Sequence, residues 1–338
     1  MVVFKYRLGL AWVLHMTGTL LKVMRLRPEF MSDSNSNLKK IGYMGVGFMG
    51  HGAAKNILQK GFPLTVLGHK NRAPVDDLLQ RGAQEAQTPA DLASRSNIVF
   101  MCLPSSGHVE EAVFGESGIL SVAQPGFVLV DSTTSEPDST RRIGAALRAR
   151  GADMVDAPFG RTPKEAELGT LSTFVGGHPD TVQSVMPVIR TYANTIVETG
   201  ELGTGHTIKL LNNFLALATS AVVGEALSTA LRLGLDMRIL KEVVDSAGGN
   251  SVMFQRFMRW TLDGDDSDFK AMMSIAVKDL QYYRRIAEPN GGITNLADAA
   301  TQVYQIANHL GHERQFMPVL PTILANFVDG KNRPLPDR

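Results

Sequence analysis

This chain of 338 residues has few cysteines and tryptophans and almost no net charge. It contains one cysteine and two tryptophans, and its formal net charge is +1. A single cysteine excludes an intramolecular disulfide and a multi-cysteine metal site. Cys102 lies in the apolar run 97–103, where a buried structural thiol is expected rather than a nucleophile. A near-neutral charge gives no global attraction to nucleic acid or to an anionic membrane. We therefore expect neither as a partner, and we expect the protein to be cytoplasmic.

The first thirty residues hold five basic side chains and one acidic side chain around the short apolar run 8–14. This pattern resembles a targeting sequence, but no small-residue cleavage site follows it, and the run is too short to span a bilayer. Met31 opens a polar stretch that is typical of an ordinary start. We interpret residues 1–37 as an extension outside the fold that is read from an upstream start codon, with organelle targeting as the alternative.

From residue 39 to about residue 197, short apolar runs alternate with helical patterns. Continuous apolar strands separated by helices indicate a parallel sheet covered on both faces. The sequence therefore predicts an α/β fold, with a doubly wound Rossmann domain over residues 38–200 whose ligand lies outside the carboxyl ends of the strands. The strands are expected at 41–44, 64–67, 98–103, 127–130, 153–156 and 172–175.

The character of the sequence changes after the glycine cluster 200–205. Residues 206–233 contain no proline and little charge, and they predict one long helix that is apolar nearly all round and therefore buried. We expect a second, all-α domain over residues 201–330 and no strand in it. Its further helical patterns lie at 237–246, 251–261, 271–287, 296–309 and 316–327.

A glycine motif, G-x-G-x-x-G, lies between the first strand and the first helix. Its first glycine allows a tight turn, the second allows a pyrophosphate to approach the backbone, and the third allows the helix to pack on the strand. A bare motif of this kind also fits an ordinary glycine-rich turn. Because a second strand follows the helix, the βαβ context predicts dinucleotide binding at the helix N-terminus. The cofactor-binding residues of this turn are Gly45, Val46, Gly47, Phe48, Met49 and Gly50.

The second strand ends without the acid that binds the adenosine ribose hydroxyls when this fold takes NAD. His69, Lys70 and Arg72 follow it instead. Arginine can grip a phosphate with two N–H groups, and lysine adds a point charge. The loop therefore favours NADP over NAD, and a solvated basic loop is the alternative.

Two further strands end at the same predicted edge of the sheet. Leu103 and Pro104 follow one of them, and Thr133 and Thr134 follow the other. The nicotinamide and its ribose are expected at the carboxyl ends of these strands. The threonines could also cap the helix that follows them.

The long helix of the second domain carries three polar residues in an otherwise apolar run. Lys209 and Asn213 are four residues apart and share one face, and Asn212 flanks them. A lysine in such surroundings is costly unless it faces a cleft or a partner. Desolvation moves its pKa towards neutrality, as a general acid–base group needs. The alternative is a lysine that extends its charged end to solvent.

Together these motifs resemble the β-hydroxyacid dehydrogenase family, which includes 3-hydroxyisobutyrate dehydrogenases and tartronate semialdehyde reductases. The resemblance covers about residues 39–327 and rests on the segments 42–50, 156–171, 203–213 and 278–280. It implies hydride transfer between NAD(P) and a small 3-hydroxy acid or its semialdehyde, with Lys209 as the catalytic acid–base group and Asn213 as its substrate-holding companion. It also implies that Thr134 and Lys278 lie near the nicotinamide, and that the protein is a homodimer or homotetramer paired through its helical domain. No metal is required, because a protonated lysine can stabilise the oxyanion.

The substrate loop departs from the usual pattern of the family. Where the family has Ser-Gly-Gly after Asp-Ala-Pro-x, this chain has Gly160, Arg161 and Thr162. This version resembles the sulfolactaldehyde reductase branch, in which the arginine helps to hold a sulfonate. Asn212 also matches that branch, but Ala216 stands where the branch has a serine. We expect these three loop residues and Asn212 to bind a small anionic substrate, since an arginine at the mouth of a cleft can clamp an anion. The alternatives are a reductase of a sulfonated aldehyde, an imine reductase and a non-catalytic NADP-binding module.

Overall fold

The structure is a computed structural model that describes residues 38–267 and 269–335. The predicted extension 1–37 lies outside the described residues. The strands are β1 (Ile41–Met44), β2 (Leu64–Leu67), β3 (Gln84–Ala86), β4 (Ile98–Met101), β5 (Val128–Asp131), β6 (Asp153–Asp156), β7 (Phe159–Gly160), β8 (Leu171–Gly176) and β9 (Ala193–Gly200). The helices of the first half are α1 (Gly50–Gln59), α2 (Ala73–Gln80), α3 (Pro89–Ser94), α4 (Ser106–Phe114), α5 (Pro137–Arg148), α6 (Pro163–Leu168) and α7 (Pro179–Ile189). Those of the second half are α8 (Thr204–Leu233), α9 (Met237–Asp245), α10 (Val252–Asp263), α11 (Met273–Ala287), α12 (Asn295–Ala307) and α13 (Leu320–Asp329).

All nine strands belong to one sheet, and its order begins β3-β2-β1-β4-β5-β6-β8. The first six of these strands are parallel and have the strand order of a dinucleotide-binding fold. This confirms the predicted doubly wound architecture. The sheet is not wholly parallel, however, because β8 runs antiparallel to β6 and β7 and parallel to the edge strand β9. Apolar runs predict that a strand is buried, but they do not predict its direction.

The carboxyl ends of the parallel strands are in register. Met44 pairs with Met101, Met101 with Asp131, and Asp131 with Asp156. The residues that follow these four positions therefore meet along one edge of the sheet. The strand order reverses between β1 and β4, and the crevice at such a reversal is where this fold binds its ligand.

Two hydrophobic cores cover the two faces of the sheet, because side chains of a strand point alternately to either face. Tyr43 and Phe100 belong to one core, together with residues of α1, α2 and α7. Met44 and Met101, the next residues along the same strands, belong to the other core with α4 and α5. Burial on both faces explains why the strands read as continuous apolar runs rather than as alternating ones.

The second half is helical and has its own core, formed by α8 and the helices around it. Among its described residues, only an isolated bridge between Met272 and Phe316 has a strand-like pairing. Helix α8 begins after Gly203 and ends before Gly234, both of which have positive φ. By length and composition alone α8 could cross a membrane, but a core helix passes the same test, and 44% of its most apolar window is buried in the protein.

The prediction that α8 is buried all round is wrong. Leu211, Leu215 and Val222 are exposed and lie on one stripe of the helix, at a spacing of four and seven residues. Hydrophobicity around a helix does not identify which of its faces the rest of the chain covers. The stripe is therefore an uncovered apolar surface of the described chain.

Three strands were not predicted. β3 and β9 lie at opposite edges of the sheet and are rich in polar residues, with β3 partly buried and β9 largely exposed, and β7 has two residues. The bounds of β1, β2 and β6 agree with the prediction, while the predicted last helix at 316–327 is a 3-10 turn followed by α13. Edge strands lack the apolar run by which the central strands are recognised.

Candidate active site

The glycine turn after β1 has the geometry of a phosphate cradle. Gly45 has a φ of 91°, and a Cβ atom there would lie 2.2 Å from the carbonyl oxygen of Cys102. A Cβ on Gly50 would lie 2.0 Å from the carbonyl oxygen of Gly45, whereas one on Gly47 would have no atom within 4 Å. The first and third glycines are thus needed for packing, and the second leaves open space before the N-terminus of α1. These residues fit a dinucleotide pyrophosphate.

A cavity of about 590 Å³ opens beside this turn, at the reversal of strand order. Residues at the ends of β1, β2 and β4 line it, together with several residues between positions 111 and 118. Six of the thirteen predicted cofactor-binding residues line this cavity, and seven do not: Phe48, Met49, Gly50, Lys70, Arg72, Thr134 and Lys278. The six are Gly45, Val46, Gly47, His69, Leu103 and Pro104.

The basic loop after β2 differs from its predicted form. The guanidinium of Arg72 donates to both carboxylate oxygens of Glu85, at 2.6 and 3.1 Å, and to Asp76 at 3.0 Å. The Glu85 carboxylate raises the pKa of this guanidinium, and Arg72 lowers the pKa of Glu85. Two carboxylates therefore offset the charge of the Arg72 guanidinium, which the sequence predicted as a ligand for a phosphate. Lys70 is exposed and has no ion-pair partner in the described part of the chain.

Lys209 is half-buried in the second turn of α8. Burial lowers the pKa of its ammonium group, the nearby charge of Lys278 lowers it further, and Asp279 opposes both effects. Desolvation disfavours the charged form of an amine, so a proton bound here is released more readily than from an exposed lysine. This is the property that the sequence predicted for an acid–base group at this position.

Asp279 joins Asn213 and Lys278 into one polar cluster with Lys209. Its Oδ2 atom accepts a hydrogen bond of 2.7 Å from the Asn213 amide, and its Oδ1 atom lies 3.0 Å from the Lys278 ammonium. Lys278 also donates to the carbonyl oxygen of Thr134, at 3.2 Å. The structure therefore brings Thr134 and Lys278, predicted near the nicotinamide, next to Lys209 and Asn213, predicted on one face of α8. Asp279 was not predicted as a site residue, although it lies in the segment 278–280 that carries the resemblance, because a lysine and an aspartate side by side in a helix do not by themselves indicate a role.

Helix α11 holds this cluster against the sheet edge. The Tyr282 hydroxyl accepts a hydrogen bond of 3.2 Å from the Ser106 amide at the start of α4, and the Lys278 ammonium lies 4.9 Å from the centre of the Tyr282 ring. Tyr283, the next residue, stacks on Phe214 of α8 with ring centres 4.1 Å apart. One helix thus contacts both the cofactor-binding half and the helix that carries Lys209.

The start of α8 is anchored by a buried carboxylate. The two oxygens of Asp156 accept hydrogen bonds of 2.7 Å from the backbone N–H groups of Gly203 and His206. The His206 ring is fully buried, 3.9 Å from Asp156 and 3.8 Å from Asp131. Burial raises the pKa of Asp156, and the His206 ring and the two N–H groups offset that effect in part. Because Lys209 is one turn further along α8, this contact fixes its position relative to the sheet.

Arg161 is the one non-glycine residue with a positive φ, 71°, among those that the structure describes. Its guanidinium donates to the carbonyl oxygen of Thr170 at 2.6 Å, to the Asn194 amide at 3.2 Å and to the Thr195 hydroxyl at 3.1 Å. These partners lie at the starts of β8 and β9, and none of them contacts Lys209. The structure therefore does not bring Arg161 into the lysine cluster.

The other predicted substrate residues have local roles in this structure. Thr162 caps α6, and its hydroxyl donates to Glu165 at 2.5 Å. Gly160 lies in β7, where a Cβ atom would be 2.3 Å from the Ser172 hydroxyl oxygen. Asn212 is exposed, while its neighbour Asn213 is partly buried. A capping role for Thr162 has a clear sequence signal, since threonine followed three residues later by glutamate is a capping box.

Cys102 lines the cavity, and burial raises the pKa of its thiol to about 12. A raised pKa makes a thiol a poor nucleophile, although the side chain is only partly buried and not fully buried as expected. Within residues 38–267 and 269–335 no group of three or more histidine, cysteine or acidic side chains is arranged to hold a metal ion.

The fold and this cluster define a nicotinamide-dependent dehydrogenase, and comparison with known proteins identifies its family. Residues 40–200 match the NAD-binding domain of 6-phosphogluconate dehydrogenase, and residues 203–323 match the NAD-binding domain of NADP-dependent 3-hydroxyisobutyrate dehydrogenase. The chain is 30% identical to 2-(hydroxymethyl)glutarate dehydrogenase of Eubacterium barkeri, over 82% of this chain and 92% of that protein. It is 31% identical to 3-sulfolactaldehyde reductase of Escherichia coli, over 81% of this chain and 92% of that protein.

Solved structures agree with this result. A crystal structure of 3-hydroxyisobutyrate dehydrogenase from Salmonella typhimurium superimposes with a TM-score of 0.75 at 26% identity, covering 84% of this chain and 99% of that one. The chain belongs to the β-hydroxyacid dehydrogenase family, as the sequence motifs predicted. It is an NAD(P)-dependent dehydrogenase.

The place of Asp279 in the cluster predicts a pH effect. Its charge raises the pKa of Lys209, so Asp279→Asn should lower that pKa further. The limb of the pH profile of kcat/KM that reports Lys209 should then move to lower pH, by about one unit for a neighbouring charge. Asp245→Asn, which removes an exposed carboxylate on α9, is the control and should leave the profile in place. A limb that stays in place or moves to higher pH in Asp279→Asn would contradict the assignment.

Proposed function

We propose that this protein transfers a hydride between NAD(P) and a small 3-hydroxy acid or its semialdehyde, with Lys209 as the acid–base group. The observation that supports this most is the cluster of Asn213, Lys278 and Asp279 next to Thr134, with Lys209 within reach of the charges of Asp279 and Lys278. An amine with a lowered pKa, next to an amide and at the edge where this fold binds its cofactor, suits the conversion of an alcohol to a carbonyl.

Hydride transfer is the chemistry that the nicotinamide supplies when it is bound. In the direction of reduction, Lys209 donates a proton to the oxygen that develops negative charge. In the direction of oxidation, neutral Lys209 accepts the proton of the hydroxyl group. The lowered pKa serves both directions, because the two protonation states then lie closer in free energy near neutral pH. Asn213, held by Asp279, orients the reacting hydroxyl group or the lysine.

The charge of the cluster favours an anionic substrate. Lys209 and Lys278 provide two ammonium groups, and Asp279 is the one carboxylate among the described residues with which both interact. A half-buried cluster with an excess of positive charge is stabilised by a bound anion. Arg161 has the chemistry to grip such an anion, but it would first exchange its bonds to Thr170, Asn194 and Thr195. We propose that Gly160, Arg161, Thr162 and Asn212 form the rim that selects the anionic group.

A sulfonated aldehyde is the principal alternative substrate. The Gly-Arg-Thr loop and Asn212 favour it, and a 3-sulfolactaldehyde reductase is among the relatives. Ala216 argues against it, and the identity to 2-(hydroxymethyl)glutarate dehydrogenase is nearly the same. A semialdehyde with a carboxylate therefore stays the first choice.

For the cofactor we propose NADP in preference to NAD. The end of β2 carries Gly68 in place of an acid, His69 lines the cavity, and Lys70 is exposed without a carboxylate partner in the described chain. A 2′-phosphate is favoured where cations are available and an adjacent acid is missing. The pairing of Arg72 with two carboxylates reduces this preference but leaves Lys70 available.

An imine reductase and a non-catalytic NADP-binding module are the remaining alternatives. Both share this architecture, and neither requires an acid–base lysine in the first turns of α8. Lys209 is half-buried and has a lowered pKa, as an acid–base group needs. That chemistry favours a hydroxyacid dehydrogenase over both alternatives.

We propose that the protein is a homodimer or homotetramer that pairs through its helical half. The stripe of Leu211, Leu215 and Val222 on α8 is exposed by 46%, 67% and 68%. A row of exposed aliphatic side chains on a long helix marks an interaction surface. Because the stripe lies on the helix that carries the catalytic residues, a second copy of this chain is the occupant that we propose.

Lys209→Met tests the proposed chemistry, because methionine preserves the apolar stem of the side chain and removes the amine. We expect kcat to fall about 100-fold or more, the scale of a lost acid–base group, with little change in the dissociation constant of the cofactor. Lys241→Met, which removes a partly exposed lysine on α9 that pairs with Asp245, is the control. Near-wild-type turnover by Lys209→Met would refute the role of this lysine.

Arg161→Gly tests the anion rim. Glycine adopts a positive φ freely, so the loop should keep its backbone path while the guanidinium is lost. We expect KM to rise about tenfold for semialdehydes bearing a carboxylate, a sulfonate or a phosphate, the scale of one lost charge-assisted interaction, with kcat little changed. Steady-state kinetics with this panel, using NADPH and NADH in parallel, also identifies the preferred substrate. Asn194→Ala is the control, because it removes a partner of the guanidinium and not the guanidinium itself, and it should leave KM unchanged. If KM is unchanged in Arg161→Gly, Arg161 is not part of the substrate site.

Leu215→Asp tests the oligomer. A charge in the middle of the stripe should shift the protein to the mass of one chain in light scattering coupled to gel filtration, because an unpaired charge is costly in an apolar interface. Val197→Asp, at an exposed position on β9, should have no effect. A wild-type protein with the mass of one chain, or an oligomer that persists in Leu215→Asp, would contradict this interface.

A further inference from the structure

The space beside Gly68, at the end of β2, is already filled by an ion pair. A Cβ atom on Gly68 would lie 2.4 Å from Oε1 of Glu85 and 2.5 Å from Nη1 of Arg72. Real Cβ atoms do not approach other atoms this closely, so any side chain at residue 68 would displace the pair. The Glu85 carboxylate thus occupies the volume into which a side chain at the end of β2 would project.

This volume has a defined use in a dinucleotide-binding fold. An acid at the end of the second strand accepts hydrogen bonds from the adenosine ribose hydroxyls, and an arginine nearby accommodates a 2′-phosphate. Here neither comes from residue 68. The carboxylate is supplied by β3, where Glu85 pairs with Val66 of the neighbouring strand, and the cation is supplied by Arg72 from the loop. An acid and an arginine with opposite cofactor preferences are therefore bonded to each other.

Given that the protein binds NAD(P) as proposed above, we infer that Glu85 is a specificity-determining residue for the cofactor. Its carboxylate takes the place of the missing acid at the end of β2 and accepts hydrogen bonds from the ribose hydroxyls of NAD. It also holds Arg72 in an ion pair. For a 2′-phosphate the same carboxylate is a repulsive neighbour, and it competes with the phosphate for the arginine. Glu85 therefore limits the preference for NADP that the loop would otherwise confer.

The charges around Arg72 support this inference. The guanidinium carries one positive charge and contacts two carboxylates, those of Glu85 and Asp76, so the three groups together are negative. The hydrogen bonds from Arg72 lower the pKa of Glu85, which keeps its carboxylate ionised at neutral pH. Asp76 is one helical turn from Arg72 and more exposed than Glu85, with side-chain exposures of 51% and 25%. Loss of Glu85 should thus leave Arg72 in a weak surface pair from which a phosphate can take it.

Glu85→Gln is the test, because it removes the charge and preserves the shape. The dissociation constants of NADP+ and NAD+ are measured by isothermal titration calorimetry without substrate, on wild type and variant. We expect NADP+ to bind about fivefold more tightly and NAD+ about threefold more weakly, the scale of one partly exposed charge. A ratio of the two constants that is unchanged, or that moves towards NAD+, would overturn the inference.

Asp76→Asn is the matched control, since it removes the second carboxylate from Arg72 at a place away from Gly68. It should leave the affinity for NAD+ unchanged, because Asp76 does not occupy the ribose-binding volume. A loss of NAD+ affinity as large as that in Glu85→Gln would show a general charge effect and would refute the specific role of Glu85. These binding measurements do not need turnover. A wild type that binds both cofactors but is inactive would contradict the proposed reaction, while the ratio of the two dissociation constants would still decide the role of Glu85.

Discussion

The contact between the Asp156 carboxylate and the first turn of α8 is the interaction on which the active site depends. It ties the last parallel strand of the cofactor-binding half to the helix that carries the acid–base group. The unpaired N–H groups and the dipole at a helix N-terminus stabilise a carboxylate there, which offsets the cost of burying it. His206 is one of the two residues whose N–H groups bond to the Asp156 carboxylate. Lys209 lies about one helical turn after His206, so its position relative to the carboxylate is fixed. The sheet edge and the helical half can therefore form one site.

A second constraint is the electrostatic cost of the lysine itself. An ammonium group away from water is unstable unless it loses its proton or gains a partner. Asp279 supplies part of that compensation, but it also serves Asn213 and Lys278, so the cluster keeps an excess of positive charge. This excess has two consequences that agree with each other. The pKa of Lys209 is lowered, as proton transfer requires, and an anionic substrate would complete the balance of charge.

Much of the fold and part of the site follow from the sequence. The central strands are recognised because both their faces are buried, and the glycine turn is recognised because its three glycines have separate steric reasons. Lys209 and Asn213 are identified because polar residues at helical spacing are conspicuous in an apolar helix. Asp279 is not conspicuous, because an acid next to a lysine within a helix carries no signal of its own, although it is buried on the same side of α11 as Ala276 and Leu280. The edge strands β3 and β9 escape prediction for a related reason, because exposed strands carry no apolar run.

The partners of charged side chains are what the sequence could not predict, and the two arginines show why. Arg72 and Arg161 each lie in a loop that follows a strand, at the edge of the sheet where the ligand is expected. The sequence therefore predicts that both guanidinium groups are available to a ligand. In the fold, Arg72 meets an acid that β3 places beside the end of β2, and Arg161 reaches across to β9. Glu85 and Thr195, which are among these partners, come from strands that the sequence did not reveal. The net charge that a ligand meets at such an edge therefore depends on which side chains the neighbouring strands bring there, and it follows from the pairing of the strands.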